Sequence, residues 1–213
     1  MKTTELITML SRDATHAAPP SQKWLQVALL LAALAVTLGL TLVIYRLNPH
    51  LFDILKTTWF WLRFLFLSAT GAIAWTCLRQ LQNPGRSSLV KLRWLAMPAV
   101  AMGVIGIVVL MRAEPELRLA MILGTTWKVC SASIAFLSVP IFVSSVILIR
   151  STAPTRLRTT GGVIGLFSGA LAAVIYTLHC PELEPAFLVV WYGVGMLIPA
   201  GIGWAFGGRL LRW

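Results

Sequence analysis

The sequence predicts an all-α integral membrane protein: a six-helix bundle with the N-terminus and C-terminus cytoplasmic and a short amphipathic N-terminal helix. Three observations carry this prediction. Of 213 residues, 58% are hydrophobic and only 12% charged, where a soluble domain carries about a quarter charged residues. The mean hydropathy is +0.82, and the apolar residues gather in long blocks rather than at scattered periodic positions. The basic residues, finally, are distributed unequally between the two sides that such blocks define.

A hydrocarbon core about 30 Å thick takes roughly 20 apolar residues per helix. Six blocks meet that requirement, at residues 24–45, 57–78, 94–111, 129–149, 161–179 and 186–206. Strands of a membrane barrel are shorter and alternate apolar with polar residues, which these blocks do not. The first block is longer than a secretory h-region and follows residues 1–23, so it reads as a retained helix and not as a cleaved signal. The domain plan is therefore a tail at 1–23, a membrane domain at 24–206 and a short cytoplasmic end at 207–213.

The net charge of +11 is explained by topology and calls for no direct nucleic-acid contact. Lys2, Arg12, Lys23, Arg79, Arg86, Lys91, Arg93, Arg150, Arg156, Arg158, Arg209 and Arg212 fall on one side. Arg46, Lys56, Arg112 and Arg118 fall on the other. Short loops rich in Lys and Arg stay in the cytoplasm, which predicts cytoplasmic segments at 1–23, 79–93, 150–160 and 207–213. Loops 46–56, 112–128 and 180–185 are then expected outside.

Packing signals are strongest in the fifth block, where Gly161, Gly165, Gly169 and Ala173 recur every four residues and line one face. The sixth block repeats the theme with Gly195, Pro199, Gly203 and Gly207. Small residues let two helix backbones approach closely in lipid. Pro140 and Pro199 lie mid-block and predict kinks.

Little catalytic chemistry is legible, and the chain does not read as an enzyme. No Asp or Glu lies within the six blocks, whereas pumps and ion-coupled transporters use buried ionisable groups as relays. Arg63, inside the second block, is expected to snorkel toward the surface along its own stem. Cys77 reads as a small buried apolar residue. Cys130 opens the fourth block and Cys180 follows the fifth, so both are expected at the same outer depth. Three readings stay open for the pair. They are a structural disulfide or free buried thiols, a redox sensor, or a metal site with His179, for which copper or zinc suits thiolate and imidazole ligands. A disulfide there would stabilise the fold by about 4 kcal/mol on chain-entropy grounds.

The tail KTTELITMLSRDA places Thr3 or Thr4 at a helix N-cap and Glu5 in the first turn. Leu6, Met9 and Leu10 follow at helical spacing, with Ile7 beside Leu10. A helix this short is marginal alone in water, so its apolar stripe predicts a partner: another protein's groove, the protein's own bundle or the lipid surface.

The opening MKTTELITMLSRDA, the stretch WKVCSASIAFLSVPI around Cys130, the run APTRLRTTGGVIGLFSGALAAVIYTLHCPE through Cys180 and the closing FLVVWYGVGMLIPAGIGWAFGGRLLRW together resemble the bacterial NrsF-like family, negative regulators of sigma F. The family's Arg-Pro-Asp-Leu-like stretch has no contiguous counterpart here, Arg46, Pro49 and Asp53 being spread through RLNPHLFDIL, while Arg63 takes the place of its basic residue early in the second helix. The resemblance implies a multi-pass anti-sigma factor of the bacterial inner membrane that holds an extracytoplasmic-function sigma factor inactive. It maps the sigma-binding segment onto residues 1–14, hence Leu6, Ile7, Met9 and Leu10. It maps the family's paired cysteines onto Cys130 and Cys180, with oxidative or metal stress on the outer side as the implied signal and no resident cofactor beyond a regulatory metal such as copper. The rival reading is a small membrane transporter or channel for a hydrophobic or metal substrate; a thiol oxidoreductase would use a reactive pair close in sequence, which is absent.

Overall fold

The structure, a computed structural model, describes residues 20–82, 93–152 and 154–212. Among them there is no strand, and six helical spans are long and apolar enough to cross a membrane: Trp24–Tyr45, Thr58–Leu81, Arg93–Arg112, Pro115–Arg150, Leu157–Tyr176 and Pro185–Leu210. The all-α, six-span architecture expected from the sequence is therefore the one observed, while the expected amphipathic N-terminal helix lies outside the described residues.

Helix α1 (Pro20–Leu40) passes into a π-helical turn at Thr41–Tyr45, and a single short turn, α2 (Leu51–Ile54), follows within the first expected loop. Helix α3 (Thr58–Leu81) begins where Thr57 caps it, the Thr57 hydroxyl accepting from the Phe60 N–H at 3.4 Å. After α4 (Ala96–Arg112) comes a helix that the hydropathy blocks do not reveal, α5 (Pro115–Leu123). Its signals are local: Pro115 at the first helical position, Glu116 in the first turn, and Gly124 at φ 57° ending it. The missing N–H of a first-turn proline is costless, and a left-handed glycine is an ordinary helix stop.

The fourth span is two helices, α6 (Trp127–Leu137) and α7 (Val139–Arg150), separated at Ser138. Pro140 cannot bond one turn back, so the chain restarts with Pro140 in the first turn of α7, where that bond is not needed. The Thr37 hydroxyl of α1 reaches the Leu137 carbonyl at this break (3.2 Å). Pro199 behaves differently. Helix α10 (Gly193–Leu210) continues across it, and the irregularity lies upstream, in a π-helical turn at Leu188–Tyr192 that follows the short α9 (Pro185–Phe187).

Helix α8 (Leu157–Tyr176) is the centre of the bundle and packs most extensively on α10, then on α3. The glycine face expected from the sequence is the seam between α8 and α10. A Cβ on Gly161 would strike the Gly203 carbonyl, and one on Gly165 would strike the Pro199 carbonyl. A Cβ on Gly169 would sit 2.9 Å from Met196 Cα, and one on Gly207 would sit 2.5 Å from the Leu157 carbonyl oxygen. Lipid tails are as apolar as the helices, so association rests on this close packing and not on a hydrophobic drive.

Gly165→Ala is expected to lower stability by about 1–3 kcal/mol through overpacking against backbone that cannot yield. Gly201→Ala, at a position with open space around it, is expected to be neutral or slightly stabilising. Thermal unfolding in detergent, followed by circular dichroism, compares the two.

Candidate functional site

One end of the bundle holds the most unusual side chain in the protein. Arg63, one and a half turns into α3, is 0% exposed. It does not snorkel. Its Nη1 donates to the carbonyls of Cys180 (3.1 Å) and Glu182 (2.7 Å), and its Nη2 donates to the carbonyl of Thr177 (3.1 Å). These acceptors belong to the turn that ends α8, where the last carbonyls lack intrahelical partners and the helix dipole is negative. The Phe60 ring lies 5.4 Å from the guanidinium carbon. A buried charge ordinarily requires an opposite charge. Among the described residues, however, the one salt bridge is the exposed Lys56–Asp53 pair at 3.2 Å. Carbonyl dipoles, held in place by the fold, do the work of a counter-ion.

The clamp fixes the backbone on either side of Cys180. Cys180 and Cys130 are free thiols, 1% and 0% exposed, and each is near enough to act on the other's ionisation. They come from different elements: Cys130 from the first turn of α6, its N–H bonded to the Thr126 carbonyl at 3.0 Å, and Cys180 from the turn after α8, its N–H bonded to the Tyr176 carbonyl at 3.1 Å. Cys180, in the loop between the fifth and sixth spans, is held below the usual thiol range. The neighbouring Cys130 thiol is the largest cause, and it outweighs the burial that pushes the other way. Tyr192, the Glu182 backbone and the Arg63 charge add to the lowering. Tyr192 Oη lies against this sulfur but short of full hydrogen-bond geometry, leaving a buried hydroxyl without a partner. The Thr126 hydroxyl is 3.9 Å from the same sulfur.

The surrounding loops are tied together by polar contacts. One Glu182 carboxylate oxygen accepts from the Thr125 N–H (2.7 Å) and the Thr125 hydroxyl (2.6 Å), joining the turn before α6 to the turn after α8. Gly124 is needed beside it, because a Cβ there would meet Phe187 at 2.7 Å and Glu182 Cδ at 2.9 Å. The Ser131 hydroxyl donates to the Trp191 carbonyl (2.7 Å) in the π-helical turn, and Trp191 Nε1 donates to the Ile122 carbonyl (2.9 Å).

Of the residues singled out in the sequence, Cys130 and Cys180 come together. His179 takes another direction: its Nδ1 is 3.1 Å from the Arg46 carbonyl, and its ring packs between Tyr45 and Tyr176 at 5.4 and 5.6 Å. Among the described residues no group of three His, Cys, Asp or Glu side chains is placed to hold a metal ion. Cys77 is buried in the core, as expected of a small apolar side chain. Leu6, Ile7, Met9 and Leu10 lie outside the described residues. Sequence reasoning missed the clamp and Tyr192. A basic residue within an apolar block that lacks any acid was the available signal for the first, and Tyr192 carried none.

A family described as negative regulator of sigma F, NrsF, matches residues 10–213. The chain belongs to the NrsF family. It is 38% identical over 218 residues to a probable anti-sigma-F factor NrsF of Azospira oryzae, with the whole of both chains covered. It is 33% identical over 221 residues to the anti-sigma-F factor NrsF of Caulobacter vibrioides, again with both chains covered in full. No solved structure matches.

Two outcomes test this geometry. Arg63→Gln leaves up to three buried carbonyls without a donor and is expected to cost on the order of 3 kcal/mol, roughly 6–12 °C in unfolding midpoint. Arg63→Lys is expected to recover only part, since a point charge on a flexible stem does not reproduce the guanidinium fork. A depressed thiol pKa means that the reactive thiolate is present above that pKa and lost as pH falls through it. Alkylation of Cys180 by a small neutral reagent, followed by peptide mass spectrometry, should therefore level off at a pH below the ~8.5 midpoint of an ordinary thiol. A midpoint at or above that value would contradict the arrangement.

Proposed function

We propose that the protein is a membrane-bound anti-sigma factor that sequesters an extracytoplasmic-function sigma factor and releases it when the Cys130/Cys180 pair is chemically modified. The observation that supports this reading is the full-length similarity to anti-sigma-F factors, on a bundle in which the sole buried charged side chain among the described residues, Arg63, is anchored beside two adjacent thiols. The role is regulatory, not catalytic.

In this reading the protein sits in the bacterial inner membrane with both termini cytoplasmic, as the distribution of basic residues implies. The sigma factor is held by the apolar stripe Leu6, Ile7, Met9 and Leu10, and the thiol pair faces the periplasmic side, where oxidative or metal stress reaches it. A signal shifts a two-state equilibrium only by its differential affinity for the two states. A new covalent bond worth a few kcal/mol suffices to release a partner bound with micromolar affinity, since each 1.4 kcal/mol is tenfold. A transport pathway has little to recommend it. Arg63 is the sole buried charged side chain among the described residues, and buried hydroxyls such as those of Thr41, Thr70 and Ser168 are bonded to carbonyls of their own helices.

The test is to identify what co-purifies from native membranes with the full chain, with Leu6→Glu/Leu10→Glu and with Cys130→Ser/Cys180→Ser. A sigma factor should accompany the unaltered chain, fall at least tenfold with the tail variant, and persist with the cysteine variant even after oxidant or metal challenge. Failure to recover a sigma factor with any of the three would overturn the reading, and release from the cysteine variant at the unaltered rate would remove the thiols from it.

A further inference from the structure

Among the described residues four buried polar side-chain atoms have no hydrogen-bond partner, and two of them belong to residues around one sulfur: Arg63 Nε and Tyr192 Oη. Leaving a buried donor unpaired costs about 1–3 kcal/mol, so two in one cluster call for a physical reason. Both residues act on Cys180: Tyr192 lies against its sulfur, and the Arg63 guanidinium is anchored on its own carbonyl at 3.1 Å. Arg63 is held on its Nη1 and Nη2 side by three carbonyls, which leaves Nε as the free donor of a fixed plane. A cation anchored on the Cys180 carbonyl, an unpartnered hydroxyl on a residue that acts on its sulfur, and the sulfur itself offer donors and a nucleophile to a small molecule with adjacent oxygen acceptors. Cys130 enters from α6, feels the same Arg63 charge and is the second thiol within reach of Cys180, while the Arg63 anchor is on the Cys180 carbonyl.

We propose that Cys180 is the thiol oxidised first, by a small hydroperoxide whose oxygens accept hydrogen bonds from Tyr192 Oη and Arg63 Nε, and that Cys130 is the resolving thiol. The inference rests on the reading of the two cysteines as a redox pair and names its oxidant class and its order of events. The Cys180 thiolate sulfur attacks the nearer peroxide oxygen. The S–O bond forms, the O–O bond breaks, and the leaving alkoxide or hydroxide takes up the proton that Cys180 had released, giving an alcohol or water and the sulfenic acid of Cys180. The Cys130 sulfur then attacks the Cys180 sulfur. The S–S bond forms, the S–O bond breaks, and hydroxide leaves with the Cys130 proton as water. Two thiols and one hydroperoxide become one disulfide, one alcohol or water, and one water. Charge builds on the departing oxygen in the first step, which is where preorganised donors in a dry site accelerate a reaction most. Burial of both sulfurs excludes bulky or charged oxidants such as glutathione disulfide.

The experiment exposes the full chain in detergent micelles to hydrogen peroxide, then adds denaturant together with a 1,3-dione probe that captures sulfenic acid, so that burial does not limit the probe, and reads labelling by peptide mass spectrometry. In Cys130→Ser, peroxide should label Cys180, and in Cys180→Ser it should leave Cys130 at least tenfold less labelled. Adding Tyr192→Phe to Cys130→Ser removes an unpartnered hydroxyl at little cost in folding. With both variants compared at a pH where Cys180 is fully ionised, it should slow peroxide labelling about tenfold or more while leaving alkylation by iodoacetamide, whose leaving group is iodide and not an oxyanion, unchanged. Preferential labelling of Cys130, no labelling of either cysteine, an unaltered peroxide rate in the Tyr192→Phe variant, or equal slowing toward both reagents would each overturn the proposal. Sigma-factor retention is measured on the same samples. Peroxide-specific labelling of Cys180 without sigma release would sustain the chemistry while removing its regulatory role.

Discussion

A guanidinium group buried without a carboxylate is the constraint around which the rest of this structure is arranged. Taking an unpaired charge into a low-dielectric interior costs several kcal/mol even after relaxation, and Arg63 meets that cost with three carbonyl oxygens from residues 177, 180 and 182. Those oxygens converge only because α8 stops at Tyr176 and the chain turns immediately, through Thr177 and His179, each of whose N–H groups still bonds back to the helix. The turn must also be tied outward, and it is: the Asn48 N–H donates to the Leu178 carbonyl at 3.1 Å, and Glu182 accepts from Thr125. The end of α8 is thereby joined to α3, to the loop after α1 and to the turn before α6. The thiols lie inside this knot.

The other half of the architecture is apolar and geometric. Along most of its length α8 meets α10 backbone to backbone, at positions where any Cβ would collide with a carbonyl. Such a seam has little give: a carbonyl cannot move aside as a flexible side chain can, and interiors packed at this density respond to strain by shifting whole elements. A displacement imposed where α8 ends is therefore carried by α8 and α10 together.

The sequence made the membrane architecture legible because hydropathy acts over about 20 residues at a time, and block boundaries fell within a few residues of the helices. Finer features depended on contacts between distant parts of the chain. The 57–78 block extends to Leu81 in the structure because Arg79 and Gln80 are good helix formers despite their polarity. The fourth block is two helices because Pro140 interrupts the run of backbone bonds just after Ser138, and α5 was hidden by its short length. The nearness of Cys130 to Cys180 was expected from their matching depth, and the family resemblance implied the same pair. Arg63 was misjudged because its side-chain length suggested escape to the surface. The carbonyls that capture it lie more than a hundred residues away in sequence, and no local pattern announces them. Tyr192 illustrates the same limit, since nothing in the surrounding sequence distinguishes a tyrosine buried against a distant sulfur from one at the bilayer surface.

These features bear on how a change between two sulfur atoms would be felt across a bilayer. The Cys180 carbonyl is one of the three acceptors of Arg63, so rotation of the Cys180 backbone to bring its sulfur onto Cys130 also alters the guanidinium's support. Losing one of the three bonds exposes a buried charge to an incomplete shell, at a cost larger than that of losing a neutral contact. The system has two ways to restore that shell: α3 follows the turn, or the turn resists and the sulfurs remain apart. The first outcome couples the state of the thiols to the position of α3, which runs from Arg63 to Leu81 without interruption. A neutral residue at position 63 would let the sulfurs rearrange with no consequence for α3. The physical value of the unpaired arginine is that it makes such a local rearrangement expensive, and therefore transmissible.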